Sequence, residues 1–197
     1  MTLSQIRHML SLRITPPFAR MAEKARLAPN MLTVTGFVVS LGAAAAIAQG
    51  GLLVGGFLVL LGSSFDLIDG ALARAQNRAT RFGAFLDSTL DRLSEAAILF
   101  GIVWFSFYQA DNVGVFLAFA VLAISTLVSY LRARGEGLGF DCEVGIFTRP
   151  GRVIAISIGL LVSQVNFFLA LAGVLSLITA GQRFIYLKHK LGKERHE

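Results

Sequence analysis

Apolar residues dominate six stretches of this 197-residue chain, and polar residues gather in the segments between them. Each stretch is close to the ~20 residues that an α-helix needs to cross a bilayer, although the fifth is short. The predicted spans are roughly residues 31–49, 52–74, 83–108, 113–134, 151–165 and 167–187. The pattern therefore predicts an all-α, polytopic membrane protein with six transmembrane helices.

The composition supports an integral membrane protein. Hydrophobic residues make up 55% of the chain and charged residues 15%, whereas a soluble domain carries about 25% charged residues. The mean hydropathy is +0.68. The single cysteine, Cys142, excludes an internal disulfide and a multi-cysteine metal site. A lone thiol of this kind is more often passive than nucleophilic.

The positions of the basic residues predict an orientation. All 18 Lys and Arg residues fall at one end of the six predicted helices, and the links near residues 49–51, 109–112 and 163–166 contain none. By the positive-inside rule, the basic end and both termini are cytoplasmic, in the cell membrane. Topology and anionic lipid headgroups then explain the net charge of +6 without a nucleic-acid partner.

The N-terminal residues differ from the rest of the chain. Residues 1–28 are basic, and Pro16 and Pro17 divide them into two short helical pieces. The second piece, from Pro17 to about Arg26, is amphipathic and is expected to lie along the lipid headgroups. We therefore predict an N-terminal juxtamembrane amphipathic segment (1–28), a six-helix domain (29–190) and a cytoplasmic tail (191–197).

Four aspartates stand where the second and third predicted helices meet. Asp66 and Asp69 are three residues apart, and Asp87 and Asp91 are four apart, so each pair occupies one helix face. Unpaired charge at the ends of hydrophobic helices is costly. Either protonation or a divalent cation could compensate it, and oxygen ligands suit Mg²⁺ or Mn²⁺.

Neighbouring residues favour the cation. Gly70 and Gly83 leave room for a ligand against the backbone, and Arg74 offers a planar fork that suits a phosphate. Acids paired only with nearby arginines would explain neither the glycines nor the clustering of the acids. The combination indicates a site for a metal-bound diphosphate.

The full pattern D-x2-D-G-x2-A-R-x8-G-x3-D-x3-D resembles the signature of the CDP-alcohol phosphotransferases, in which a CDP-linked lipid and an alcohol give a phosphodiester lipid and CMP. All eight specified positions are present, from Asp66 to Asp91. The resemblance implies that Asp66, Asp69, Asp87 and Asp91 bind one or two Mg²⁺ ions, with Mn²⁺ as a possible substitute. It also implies that Asp91 is the catalytic base and that the protein is a homodimer.

The same resemblance implies a set of residues that contact the CDP-lipid. These residues are Pro29, Asn30, Met31, Leu32, Asp66, Gly70, Ala73, Arg74, Thr80 and Gly83. Asn30 is equally suited to capping the first helix. Glu95 continues the face of Asp87 and Asp91 by one turn and is interpreted as a supporting or structural acid.

A second basic cluster concerns the acceptor alcohol. Three helices bring predicted acceptor-phosphate ligands to the cytoplasmic end, namely Ser129, Arg132, Arg149, Arg152 and Arg183. Converging arginines suit a dianionic phosphate. The segments that contain them resemble the phosphatidylinositol phosphate synthases, which implies CDP-diacylglycerol and inositol phosphate as substrates. Glycerol 3-phosphate as acceptor, an archaeal-type lipid donor as in archaetidylinositol phosphate synthases, and a cation or proton transporter are the alternatives.

Overall fold

The computed structural model describes the backbone of residues 29–75 and 80–194 and the side chains of residues 30–65 and 80–192. In these ranges it contains helices and no strands, so the predicted all-α fold class is confirmed. The helices are α1 (Pro29–Ala48), α2 (Leu52–Ala75), α3 (Arg81–Tyr108), α4 (Asn112–Gly137), α5 (Arg149–Leu161) and α6 (Val165–Glu194). The predicted juxtamembrane segment 1–28 lies outside the described residues.

In the part of the chain that the structure describes, three helices are long and apolar enough to cross a membrane on their own. They are α1, α4 and α6, over Asn30–Ala48, Asn112–Gly137 and Val165–Gly192, and α2 adds the shorter apolar stretch Leu52–Phe65. The helix α3 carries several charged residues in its first half, and α5 has only 13 residues. The full count of six membrane spans therefore stays a prediction.

The six helices pack in a closed ring, in which each helix lies mainly against two others. Around the ring the order is α1, α3, α4, α6, α5 and α2, which returns to α1. Short links at one end of the ring join α1 to α2, α3 to α4 and α5 to α6. The opposite end, where α3 and α5 begin, is called the motif end below. The helices α3 and α5 are not neighbours in the ring, but their side chains meet inside it.

The interior of the ring changes character along its length. Toward the short links it is filled by apolar side chains from all six helices, including Ile47, Leu99, Ile102, Leu160 and Leu169. Toward the motif end, charged side chains take their place and are nevertheless buried, among them Glu95, Arg152 and Arg183. A buried charge requires a partner, so the motif end is where the candidate chemistry lies.

Glycines allow two helix pairs to approach closely. A Cβ atom added to Gly101 in α3 would lie 2.5 Å from the carbonyl oxygen of Ala44 in α1. One added to Gly62 in α2 would lie 2.9 Å from Ser40 Oγ and 3.2 Å from the carbonyl oxygen of Gly36, both in α1. Small residues at such contacts allow helices to pack in lipid, where hydrophobicity does not drive association.

The link between the last two helices differs from the prediction. The fifth helix was expected to end near residue 165, but α5 ends at Leu161 and α6 begins at Val165. The link contains Ser163 with a φ of 56°, and the link after α3 contains Ala110 with a φ of 54°. Glycine usually occupies this left-handed position after a helix. Because no glycine marks the link after α5, the sequence pattern placed the boundary incorrectly.

Asp111 joins these two links at the end of the ring opposite the motif end. Its Oδ1 accepts a hydrogen bond from Gly114 N at 2.9 Å, and its Oδ2 accepts one from Asn166 Nδ2 at 2.7 Å. The bonds from Gly114 and Asn166 lower the pKa of Asp111, because they favour the ionised carboxylate. The helices α4 and α6 thus begin at a shared anchor.

The contact between α1 and α3 gives the first prediction. The substitution Gly101→Ala should destabilise the purified protein by about 1–3 kcal/mol, because the new methyl group meets a backbone carbonyl that cannot rotate away. Thermal unfolding in detergent measures the effect. The matched control is Gly42→Ala, since a Cβ atom at Gly42 would meet nothing within 4 Å. Equal melting temperatures for the two variants would contradict the close contact.

Candidate active site

The start of α3 brings three predicted CDP-lipid contacts together. Thr80 caps the helix, and its Oγ1 accepts a hydrogen bond from Gly83 N at 2.9 Å. A Cβ atom on Gly83 would lie 3.1 Å from Thr80 Oγ1 and 3.2 Å from Asn30 Oδ1. The side-chain oxygens of Asn30, at the start of α1, and of Thr80 therefore both lie beside Gly83, where the absence of a side chain leaves the backbone accessible.

The two motif aspartates of α3 lie one turn apart on the helix. Asp91 forms an ion pair with Arg149, one of the predicted acceptor-phosphate ligands. Arg149 Nη1 lies 2.6 Å from Asp91 Oδ1. The side chains are 18% and 24% exposed, respectively, and Asp87 is also partly buried. A predicted metal ligand and a predicted acceptor-phosphate ligand are thus in direct contact.

One turn further along α3, Glu95 binds Arg152. Arg152 Nε donates to Glu95 Oε1 at 2.6 Å, and Arg152 Nη2 donates to Glu95 Oε2 at 2.9 Å. The arginine side chain is 1% exposed and that of the glutamate 7%. This two-point geometry is the strongest form of a guanidinium–carboxylate contact.

The other half of the acidic motif lies at the end of α2. The helix continues to Ala75, so Asp66, Asp69, Gly70, Ala73 and Arg74 are all helical. Their side chains lie outside the described residues, as does that of Pro29. Within the described residues, no group of three or more His, Cys, Asp or Glu could hold a metal ion. The predicted set of four aspartates draws one half from α3 and the other half from this part of α2.

The predicted acceptor ligands surround the end of α4 and the start of α5. Arg132 is about half exposed and forms an ion pair with Glu136 at 2.7 Å. Arg183 is 4% exposed. It donates from Nη1 to the carbonyl of Val128 at 2.6 Å. Arg132 and Arg152 both lie within electrostatic range of Arg183. Ser129, on α4, is partly buried.

The helix α6 holds the loop of residues 138–148 that leads into α5. Its contacts with the loop include four hydrogen bonds between side chains and backbone: Phe147 N to Thr179 Oγ1 (3.0 Å), Ile146 N to Gln182 Oε1 (3.1 Å), Arg183 Nε to the carbonyl of Val144 (2.8 Å) and Tyr186 OH to the carbonyl of Asp141 (3.0 Å). Gly145 within the loop has a φ of 139°, and a Cβ atom there would lie 2.5 Å from Thr179 Cγ2. These contacts determine where Arg149 begins α5.

Sequence reasoning did not assign Thr179 or Tyr186 to the site and left Glu95 without a partner. The helical spacing was the available signal, because Thr179 and Gln182 share a face with Arg183 and Tyr186. Nothing in the local pattern showed that this face would meet the loop 138–148, since the contacts join residues more than 30 positions apart.

Carboxylates, small residues and arginines thus meet at the motif end of a ring of largely apolar helices, an arrangement that suits an enzyme of the membrane. The family model of CDP-alcohol phosphatidyltransferase matches residues 26–180. An archaetidylinositol phosphate synthase from Methanothermobacter thermautotrophicus is 36% identical over 195 residues, covering 96% of this chain and 95% of the relative. The chain therefore belongs to the CDP-alcohol phosphatidyltransferase family, as the motif predicted.

Solved structures share the fold. The crystal structure of Mycobacterium tuberculosis phosphatidylinositol phosphate synthase with CDP-DAG bound is 34% identical, with a TM-score of 0.81, and the match covers 89% of this chain and 94% of that chain. The crystal structure of the same enzyme in complex with manganese and citrate is 32% identical, with a TM-score of 0.80, and the match covers 88% of each chain. The helix arrangement described above is therefore shared with an enzyme of phospholipid synthesis.

The loop contacts give the second prediction. The substitution Thr179→Val keeps the shape of the side chain but leaves Phe147 N without its acceptor, which should cost about 1–3 kcal/mol. Hydrogen exchange by mass spectrometry should show faster exchange over residues 138–148. Thr126→Val is the matched control, because Thr126 also bonds the carbonyl four residues earlier but is exposed. Unchanged exchange in the loop of Thr179→Val would show that α6 does not hold it.

Proposed function

We propose that this protein transfers the phosphatidyl group of CDP-diacylglycerol to a hydroxyl of inositol phosphate, giving phosphatidylinositol phosphate and CMP. The observation that carries the proposal is the contact between Asp91 and Arg149. It joins the acidic motif, which binds the nucleotide-linked donor in this family, to the arginine cluster that suits a phosphorylated acceptor. Relatives named as phosphatidylinositol and archaetidylinositol phosphate synthases support the same acceptor.

The donor half of the site consists of the four aspartates and the residues around Gly83. Asp66, Asp69, Asp87 and Asp91 supply only oxygen ligands, which suit one or two Mg²⁺ or Mn²⁺ ions. The two aspartates of α3 lie on one face of that helix and are partly buried, as ligands of a shared ion require. An ion held by these carboxylates would supply positive charge to offset that of the diphosphate and of the departing CMP. The manganese complex of the M. tuberculosis enzyme supports this assignment.

The nucleotide is held by small and polar groups at the starts of α1 and α3. Asn30, Thr80 and Gly83 lie together on this surface, and of the neighbouring residues Met31 is exposed whereas Leu32 is buried. Pro29, Met31, Leu32, Gly70, Ala73 and Arg74 complete the proposed contacts with the CDP-lipid. The hydroxyl of Thr80 already bonds the backbone of Gly83, so its remaining capacity is available to a ribose or phosphate oxygen.

The transfer is a direct displacement. Asp91 accepts the proton of the acceptor hydroxyl as general base. The acceptor oxygen forms a bond to the lipid-linked phosphorus, and the bond from that phosphorus to the CMP oxygen breaks. The leaving group departs as CMP, so no covalent enzyme intermediate is needed. Arg149, which touches Asp91, brings the acceptor's phosphate to the side of the catalytic carboxylate.

The acceptor's phosphate is bound by guanidinium groups. Arg132 and Arg149 are exposed enough to reach a soluble acceptor, whereas Arg152 and Arg183 are buried. Ser129 adds a hydroxyl on the same helix as Arg132. Glycerol 3-phosphate would satisfy the same charges and remains the second acceptor candidate. A transporter is disfavoured, because Asp87 and Asp91 lie in the half of α3 nearer the motif end, and Asp91 is paired there with Arg149.

The cellular setting and assembly follow from the sequence pattern and the family. We propose a multi-pass protein of the cell membrane, with the motif end and both termini in the cytoplasm, where CDP and phosphorylated alcohols are found. We also propose a homodimer, on family resemblance alone. Crosslinking in native membranes tests this assembly, and a protein that remains monomeric there would refute it.

Acceptor choice gives the third prediction. Purified protein with CDP-diacylglycerol and Mg²⁺ should release CMP with inositol phosphate and not with inositol or serine, because neutral or zwitterionic acceptors leave the arginines without a dianion. Parallel reactions with glycerol 3-phosphate and with a CDP-linked isoprenoid ether lipid separate the alternatives for acceptor and donor. Release of CMP only with an unphosphorylated alcohol would overturn the proposed acceptor.

The proposed base gives the fourth prediction. The substitution Asp91→Asn should lower turnover by at least about 100-fold, because the amide cannot accept the proton. CDP-diacylglycerol binding should be largely retained. Asp111→Asn is the matched control, since Asp111 anchors the opposite end of the ring and should leave turnover near that of the unchanged protein. Normal turnover by Asp91→Asn would remove Asp91 as the base.

Metal removal gives the fifth prediction. Treatment with EDTA should reduce CMP release to background, and Mg²⁺ or Mn²⁺ should restore it, because the four aspartates would otherwise repel one another and the diphosphate. Titration with Mn²⁺ followed by electron paramagnetic resonance should show weaker binding by Asp87→Asn. Full activity in the presence of EDTA would contradict the metal site.

A further inference from the structure

Two successive ion pairs cross the interior of the ring between α3 and α5. The acids, Asp91 and Glu95, are one turn apart on α3, and the arginines, Arg149 and Arg152, are one turn apart on α5. Residues at such spacings share a helix face, so the two pairs form parallel connections between the same two helices.

The two pairs differ in exposure. Arg149 and Asp91 are 24% and 18% exposed, whereas Arg152 and Glu95 are only 1% and 7% exposed. Two nitrogen atoms of Arg152 donate to the two oxygen atoms of Glu95. Arg152 therefore directs two of its five N–H donors to Glu95 from an almost completely buried position.

We propose that Glu95 and Arg152 are positioning residues, which hold α5 at the distance and rotation that bring Arg149 to Asp91. This inference rests on the proposed function, in which Arg149 binds the acceptor's phosphate and Asp91 is the base. Arg152 then acts through Arg149 and does not contact the acceptor. Its predicted role as a direct phosphate ligand gives way to this indirect one.

The packing of the ring explains why such a connection is needed. The helix α3 packs against α1 and α4, whereas α5 packs against α2 and α6. Because α3 and α5 do not pack closely against each other, long side chains must determine their separation. A buried ion pair contributes little net stability but is directional, and it strongly disfavours any arrangement that separates its charges.

A small cavity lies beside the deeper pair. Its volume is about 10 Å³, which is close to the space of one water molecule. Polar groups from four helices line it, namely Ser40, Ser63, Ser94, Glu95 and Arg149. Glu95 and Arg149 thus border the same space, so the surroundings of the two ion pairs are continuous.

Two variants of the Glu95–Arg152 pair test the inference: one removes the negative charge, and the other exchanges the two charged residues. Glu95→Gln leaves the buried guanidinium without its counterion, and kcat/KM for the acceptor should fall by about 100-fold, as expected when a reacting group is misplaced. The KM for CDP-diacylglycerol should change by less than about threefold, since the donor residues are not displaced. The double variant Glu95→Arg with Arg152→Glu rebuilds the pair with reversed direction and should recover most of the loss.

The exchange distinguishes positioning from direct binding. If Arg152 bound the acceptor's phosphate, a glutamate at position 152 would repel that phosphate, and the double variant would be at least as impaired as Arg152→Glu alone. The neutral pair Glu95→Gln with Arg152→Gln offers a second comparison, because it leaves no unpaired buried charge. It should retain more activity than Arg152→Gln alone if the residues act as a pair. Failure of both double variants to exceed their single variants would overturn the proposal.

A distance measurement makes the test independent of the acceptor. Spin labels at Phe100→Cys on α3 and Ile158→Cys on α5 occupy exposed positions, whereas Cys142 is fully buried and should not react. The distance distribution should broaden in Glu95→Gln and narrow again in the exchanged pair. An unchanged distribution in Glu95→Gln would refute positioning, even if the unchanged protein proved to use glycerol 3-phosphate or showed no turnover.

Discussion

The organisation of this protein depends on how charge is compensated inside an apolar helical ring. A single unpaired carboxylate or guanidinium in such a setting would cost several kcal/mol. The structure meets this constraint by pairing acids on α3 with arginines on α5, at Asp91–Arg149 and Glu95–Arg152. The same pairs join the two halves of the proposed active site, so charge compensation and function share one set of contacts.

The ring has an apolar half that holds the helices together and a charged half that contains the candidate active site. Its apolar half is packed by side chains from every helix and by close backbone approaches such as that of Gly101 to Ala44. Close packing stabilises the helix arrangement in this half, because the hydrophobic effect does not drive helix association in lipid. The charged half can then carry polar chemistry without losing the arrangement of the helices.

The donor and acceptor regions come from different parts of the chain. Asn30, Thr80 and Gly83 meet at the starts of α1 and α3, while α6 holds the loop 138–148 that leads to Arg149. The arginines differ in their surroundings: Arg132 and Arg149 are accessible, whereas Arg152 and Arg183 are buried and bonded to protein groups. Arginines that look equivalent in the sequence therefore have different surroundings and different proposed roles in the folded protein.

The sequence by itself determined the helical class, most helix boundaries, the family and the acidic motif, because helical periodicity and motif spacing are local properties of the chain. It placed the end of α5 incorrectly, since Ser163 adopts a conformation usually marked by glycine. Only the tertiary structure decided that Glu95 binds Arg152, that Asp91 meets Arg149 and that Thr179 holds Phe147. These contacts join residues 32 to 58 positions apart, and their partners depend on how the ring closes, which no local pattern records.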